Sequence, residues 1–138
     1  MTDTKIENVS VHDINYDATR SASVQREYAF QFFVWYFSKR VQVTRCYGYN
    51  AGYENIGTED VEDVVISDCV WGNGWRTSLQ IHRGSQRVKV VDNTINNTSS
   101  TAHASLTIHG VTTNPIAGLI IQGNTIQSTT NESQGDRG

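Results

Sequence analysis

The stretch "SLQIHRGSQRVKVVDNTI", Ser78 to Ile95, is written almost a second time as "SLTIHGVTTNPIAGLIIQGNTI", Ser105 to Ile126. Each copy carries a Leu-x-Ile pair, a polar loop, an apolar-x-apolar pair and the ending Asn-Thr-Ile. A unit this short cannot bury its own apolar side, so a chain that repeats it must stack each copy on the next. Apolar pairs recur at Val9/Val11, Val41/Val43, Val64/Ile66, Val88/Val90 and Leu119/Ile121, with 32, 23, 24 and 31 residues between first members. A second set, Phe32/Val34, Glu54/Ile56, Leu79/Ile81 and Leu106/Ile108, precedes the last four. Alternation with period two, bounded by Gly, Asn and Ser, is the pattern of short strands. A propeller blade is excluded, since it needs about 40–45 residues and four strands.

The rest of the composition narrows the class. The chain has 138 residues, which predicts one domain, here a periodic region over 1–128 followed by a polar tail 129–138 expected to be disordered or a linker. Thr19–Gln25 and Asn96–Ala102 read as loop insertions that lengthen two of the spacings. A net charge of −3 argues against a broad basic surface for nucleic acid. The longest apolar run, Phe32 to Phe37, is too short to span a bilayer, so no membrane partner is expected. The opening "MTDTKIENVS" lacks the pattern of a signal peptide. Cys46 and Cys69 fall in the turn column of Asn93 and Asn124, one and two repeats earlier. Two stacked buried thiols are therefore expected, beside Asn side chains that satisfy turn backbone groups. Two cysteines alone do not make a metal site, and no cofactor is expected.

The phrases "RVKVVDNTI" and "GLIIQGNTI" resemble rungs of the right-handed parallel β-helices of the pectin-lyase-like superfamily. The resemblance covers residues 5 to 128. It implies an all-β solenoid of about five rungs, either belonging to a larger β-helix or self-associating. The wording "GNGWRTSLQIHRGS" resembles phage tail-spike and appendage β-helices. That implies a homo-oligomer, a trimer, with a polysaccharide or cell-surface glycan as partner and a virion or extracellular location. The chain lacks the Asp-Asp, Gly-His-Gly and Arg-x-Lys set of polygalacturonases and the acidic calcium cluster of pectate lyases. No catalytic assignment is carried over.

Aligning Ile56 with Ile81 and Ile108 turns Gln80, His82, Thr107 and His109 outward, with Phe33 and Trp35 in the same outward columns. Arg76 shares a column with His103, and Ser78 with Ser105. The expected site is an open saccharide groove over this sheet. Trp35, Tyr53, Arg76 and His109 bind in it, and Glu54, Glu59 and His82 are the catalytic candidates. A hydrolase would use Glu54 and Glu59, with Asp60 in reserve. A lyase would use Tyr53, His82 or His109 as base, with Arg76 or Arg83 countering a substrate carboxylate. Against these stand tolerated surface histidines and a solvated acidic turn at Glu59, Asp60 and Glu62. Three function classes stay open: a glycan-cleaving enzyme, a glycan-binding module and a structural shaft.

Overall fold

The computed structural model describes residues 2–14, 32–97 and 104–128. Among these residues the regular structure is all β, with no helix. One sheet joins β1 (Thr2–Glu7), β4 (Lys39–Thr44), β7 (Glu62–Ser67), β10 (Gln86–Val91) and β13 (Ile120–Gln122) in that order. A second joins β2 (Ser10–Ile14), β5 (Tyr47–Ala51), β8 (Val70–Gly74), β11 (Thr94–Asn97) and β14 (Thr125–Ser128). A third joins β3 (Phe32–Trp35), β6 (Glu54–Glu59), β9 (Thr77–His82) and β12 (Ala104–His109). Every pairing is parallel, and each strand bonds to the strand three later in sequence. The chain therefore visits the three sheets in turn, round after round.

This pairing places like residues over like. Val43, Ile66 and Val90 form one column of the first sheet, and Val41, Val64 and Val88 another, all fully buried. In the second sheet Trp71 and Ile95 face them, and Phe32 meets the Trp71 ring edge-on at 5.2 Å between centroids. Each buried Val, Ile or Leu removes apolar surface worth about 1.5–3 kcal/mol from water, so the columns carry the fold.

Two registers differ from the sequence reading. Val9/Val11 do not head the first column. Thr4 and Ile6 pair with Val41 and Val43, while Val11 lies in the second sheet opposite Gly48. Ile56 pairs with Leu79 rather than Ile81, and Ile81 stacks between Thr58 and Ile108. In both places a threonine occupies an inward position that a search for apolar pairs passes over. Thr58 is satisfied there by Ser85, hydroxyl to hydroxyl at 3.1 Å. The expected loop Thr19–Gln25, most of Asn96–Ala102, His103 and the tail 129–138 lie outside the described residues.

The corners are built by left-handed residues at fixed points of each round. Asn8, Arg45, Asp68, Asp92 and Gly123 have φ of 57°, 50°, 56°, 54° and 67° at the corner between the first two sheets. Asp3, Arg40, Asp63, Arg87 and Gly118 do the same inside the first sheet, with φ of 50–66°. Asn, Asp and Gly are the residues that enter this region at least cost. At Gly123 the absence of a Cβ leaves room for the Asp92 carboxylate, whose Oδ1 lies 1.9 Å from where a Cβ would stand.

Just past the corner runs the predicted Asn/Cys column. The Cys46 N–H donates to Cys69 Sγ (3.3 Å), the Cys69 N–H to Asn93 Oδ1 (3.1 Å) and the Asn93 N–H to Asn124 Oδ1 (2.9 Å). Asn93 Nδ2 donates to the carbonyls of Val91 and Ile66, and Asn124 Nδ2 to those of Gln122 and Val90. The Cys69 thiol points at the equivalent pair, Ser67 O at 3.0 Å and Val43 O at 3.6 Å. Both cysteines are buried and free, and burial pushes the Cys69 thiol up to about 12.

Candidate functional site

The third sheet is where the sequence places the groove. Strands β6 and β9 are buried from Glu54 to Thr58 and from Thr77 to Ile81. Leu79 and Ile81 belong to the core. Gln80 alternates with them, and it is fully buried too. Both faces of these strands are covered, so the polar stripe does not lie open along them, in contrast to the expected groove. Exposure returns only at the margins: His82 is half-buried, and on β12 His109, in register with His82, is exposed. Trp35 pairs with Glu59 along the backbone, and its side chain lies outside the described set, as does that of Phe33.

Four of the predicted residues do come together. Glu54 is fully buried at the start of β6. Its carboxylate lies 3.4 Å from His82 Nε2 and 3.7 Å from Arg76 Nη1. Arg76 Nη1 also donates to the Tyr53 hydroxyl, and the guanidinium sits 5.3 Å from the centre of the Tyr53 ring. This is a cation held against an aromatic face as well as beside an anion. The other ring nitrogen of His82, Nδ1, lies 3.4 Å from the side-chain amide of Gln80. Both ring nitrogens of His82 are thus engaged, Nε2 by Glu54 and Nδ1 by Gln80.

The local sequence explains the cluster. Arg76 follows Trp75 at the corner entering β9, where the Arg76 N–H donates to Tyr53 O at 2.9 Å. That bond sets Tyr53 and Arg76 one above the other. Glu54 then falls opposite Thr77. Gly57 pairs with Gln80 and brings no side chain into that position. Gln80, missed as a site residue, carried a signal in its place between Leu79 and Ile81.

Chemically, the cluster is a buried anion holding two donors in fixed orientations. Arg76 keeps about a third of its side chain exposed (36%) and His82 16%. The second acid of the hydrolase scheme is engaged elsewhere: Glu59 is paired with Arg83 Nη2 at 2.7 Å. Asp60 accepts from the Asn114 amide at 2.6 Å within a left-handed corner. Glu54 has no exposed surface, and Arg83, paired with Glu59, keeps about half of its side chain exposed. Among the described residues no group of three His, Cys, Asp or Glu side chains can hold a metal ion.

The outer face of the first sheet carries a second polar feature. Asp3, Arg40, Asp63 and Arg87 stack in one column with alternating charge. Arg40 forks onto Asp3, with Nη2 at 2.8 Å from Oδ2, and Arg87 forks onto Asp63 at 2.6 and 3.2 Å. Lys39 and Glu62 pair beside them at 2.7 Å. The arginine hydrogen bonds hold the carboxyls of Asp3 and Asp63 below their usual range, and the Lys39 bond does the same for Glu62. A concavity of about 510 Å³ lies over Asp3, Lys5, Arg40, Gln42, Asp63 and Val65. Comparison with known proteins finds no matching family, no similar curated protein and no similar solved structure.

Proposed function

We propose that the chain is a right-handed parallel β-helix of about five rungs, of the pectin-lyase-like or tail-spike kind, that binds a polysaccharide or cell-surface glycan. The observation that carries the binding reading is the Tyr53–Glu54–Arg76–His82 cluster. A wholly buried carboxylate lies 3.7 Å from one guanidinium and 3.4 Å from one imidazole beside an aromatic ring, and the guanidinium, about a third of the Arg76 side chain being exposed, is the donor group that faces solvent. Donors fixed in advance lose little freedom on binding and suit sugar hydroxyls or a uronate carboxylate. The burial of Gln80 favours a short segment or chain end at the margin of the sheet over an extended chain lying across it. Recognition without cleavage fits better than hydrolysis, because Glu54 is inaccessible and Glu59 is tied to Arg83.

The test is retention of neutral and acidic polysaccharides by affinity electrophoresis, run beside assays for new reducing ends and for unsaturated products. The parent protein should retain a glycan and release nothing. Arg76→Ala removes one charge-assisted hydrogen bond, worth about 1.5–3 kcal/mol, so affinity should fall about 10- to 150-fold. Arg87→Ala, on another sheet, should bind as the parent does. Absence of retention across the panel refutes the saccharide reading, and product release refutes the binding-only reading.

A further inference from the structure

The inward columns end exposed at one end of the stack. Ile121 closes the column of Val43, Ile66 and Val90, yet it is 38% exposed where they are fully buried. Ile126 closes the column of Trp71 and Ile95 at 47%, and Ile108 that of Ile81 at 50%. Three separate sheets thus present the cross-section of the core beside the edges of β12, β13 and β14, which pair with no further strand among the described residues. Natural proteins guard such edges with charge. Here, from Asn93 to Asn131, the chain has no Asp, Glu, Lys or Arg, although 14 acidic and 11 basic residues occur in the rest. Charge is depleted in the same way at the centre of protein interfaces.

We propose that this end is an interface, and that its occupant is the same end of a second copy of the chain, related by a two-fold axis. Head-to-tail stacking is disfavoured by the turn column. From Cys46 on, each member's N–H donates to the side chain of the next member, and Asn124 is the last. At the opposite end the column begins with Val9, whose carbonyl accepts from Tyr47 but whose side chain has no acceptor. A second copy added head to tail would set Val9 against the Asn124 N–H and leave it unsatisfied. The end containing β13 and β14 instead offers Gln122, Thr125 and Gln127, all exposed or half-buried and each both donor and acceptor. Such groups pair with their own kind, and an uncharged face meets itself without repulsion. A two-fold contact closes at two copies, whereas the resemblance to tail spikes implies three. Strands of three to six residues at about 3.3 Å each bound a face smaller than the about 800 Å² per partner of tight complexes. Association should therefore be concentration-dependent, at micromolar levels or weaker.

Sedimentation velocity of the full chain from micromolar to millimolar concentration tests the proposal. The parent should move from monomer to dimer and stop there. Thr125→Lys and Gln122→Lys place charge on edge positions without touching the core. Each should shift the midpoint of dimerisation upward at least tenfold while leaving the dichroism spectrum and melting temperature of the monomer unchanged. Arg40→Ala, on the outer face of the first sheet, should dimerise as the parent does. A parent that stays monomeric at millimolar concentration overturns the proposal. So does a trimer, an open-ended series of masses, or dimerisation unchanged in both lysine variants.

Discussion

Replacing Asn93 by Leu tests the turn column most directly. Leu has the same number of side-chain heavy atoms, branched at the same point, but can neither accept nor donate. Asn93 Oδ1 is the acceptor for the buried Cys69 N–H at 3.1 Å, and Nδ2 reaches Ile66 O and Val91 O at 3.0 Å each. Leaving the Cys69 N–H unsatisfied costs about 1–3 kcal/mol, and losing two amide donations about 0.5–1.5 kcal/mol each. Added apolar contact returns about 1 kcal/mol. The net expectation is a loss of about 1–5 kcal/mol. With a urea slope of about 2 kcal/mol/M, the midpoint should fall by about 0.5–2.5 M. The reverse exchange, Cys69→Asn, places an amide where Ser67 O, Val43 O and the Cys46 N–H already stand around the thiol. It should stabilise by about 1 kcal/mol, since amide bonds replace weak thiol ones. Urea unfolding followed by both dichroism and the fluorescence of buried Trp71 measures the two changes and shows whether the rounds unfold together. An Asn93→Leu protein within about 0.5 kcal/mol of the parent would refute the view that the column stabilises through its hydrogen bonds.

Two further outcomes follow from the ionisable groups. The folded-state pKa values of Asp3, Glu62 and Asp63 are lowered, so their contribution is present above the unfolded value near 4 and is lost as pH falls through the folded values. Stability should drop on acidification from pH 5 to 2, less steeply in Asp63→Asn, and an identical pH profile for variant and parent would contradict the ion-pair assignment. The Cys69 thiol, pushed up to about 12 by burial, should resist a thiol-specific disulfide reagent at pH 8 until urea unfolds the chain. Fast labelling of the native protein at that position would show that the column is open.

How much of this was legible in the sequence depended on what occupied each column. The Val43, Ile66, Val90 and Ile121 series was readable because every member is aliphatic. The Asn/Cys column was readable because its members keep one distance from those pairs. The register of β6 was not. Thr58 holds an inward position through a hydroxyl pair with Ser85, so Glu54 and Ile56 looked like the partners of Leu79 and Ile81. Glu54 was singled out, yet its burial was not foreseen, because alternation assigns a side chain to a face without saying whether that face is covered. The pairing of Glu54 with both Arg76 and His82 depends on backbone bonds between rounds that no local pattern encodes.

The alternating column on the first sheet has a consequence for how such a chain can change length. Arg40, Asp63 and Arg87 occupy equivalent left-handed positions of the first sheet, 23 and 24 residues apart, so a single round is a unit that can be cut or copied at those positions while the apolar columns keep their register. Charge weighs against single steps. Removing the residues between Arg40 and Asp63, with Asp63 itself, sets Arg40 directly against Arg87. Copying one round likewise places two like charges on neighbouring strands, which is unfavourable. Removing or copying two rounds together restores the alternation. From Asp3 to Arg87 the column thus favours changes by two rounds, by the few tenths to about 1 kcal/mol that a half-exposed like-charge contact costs.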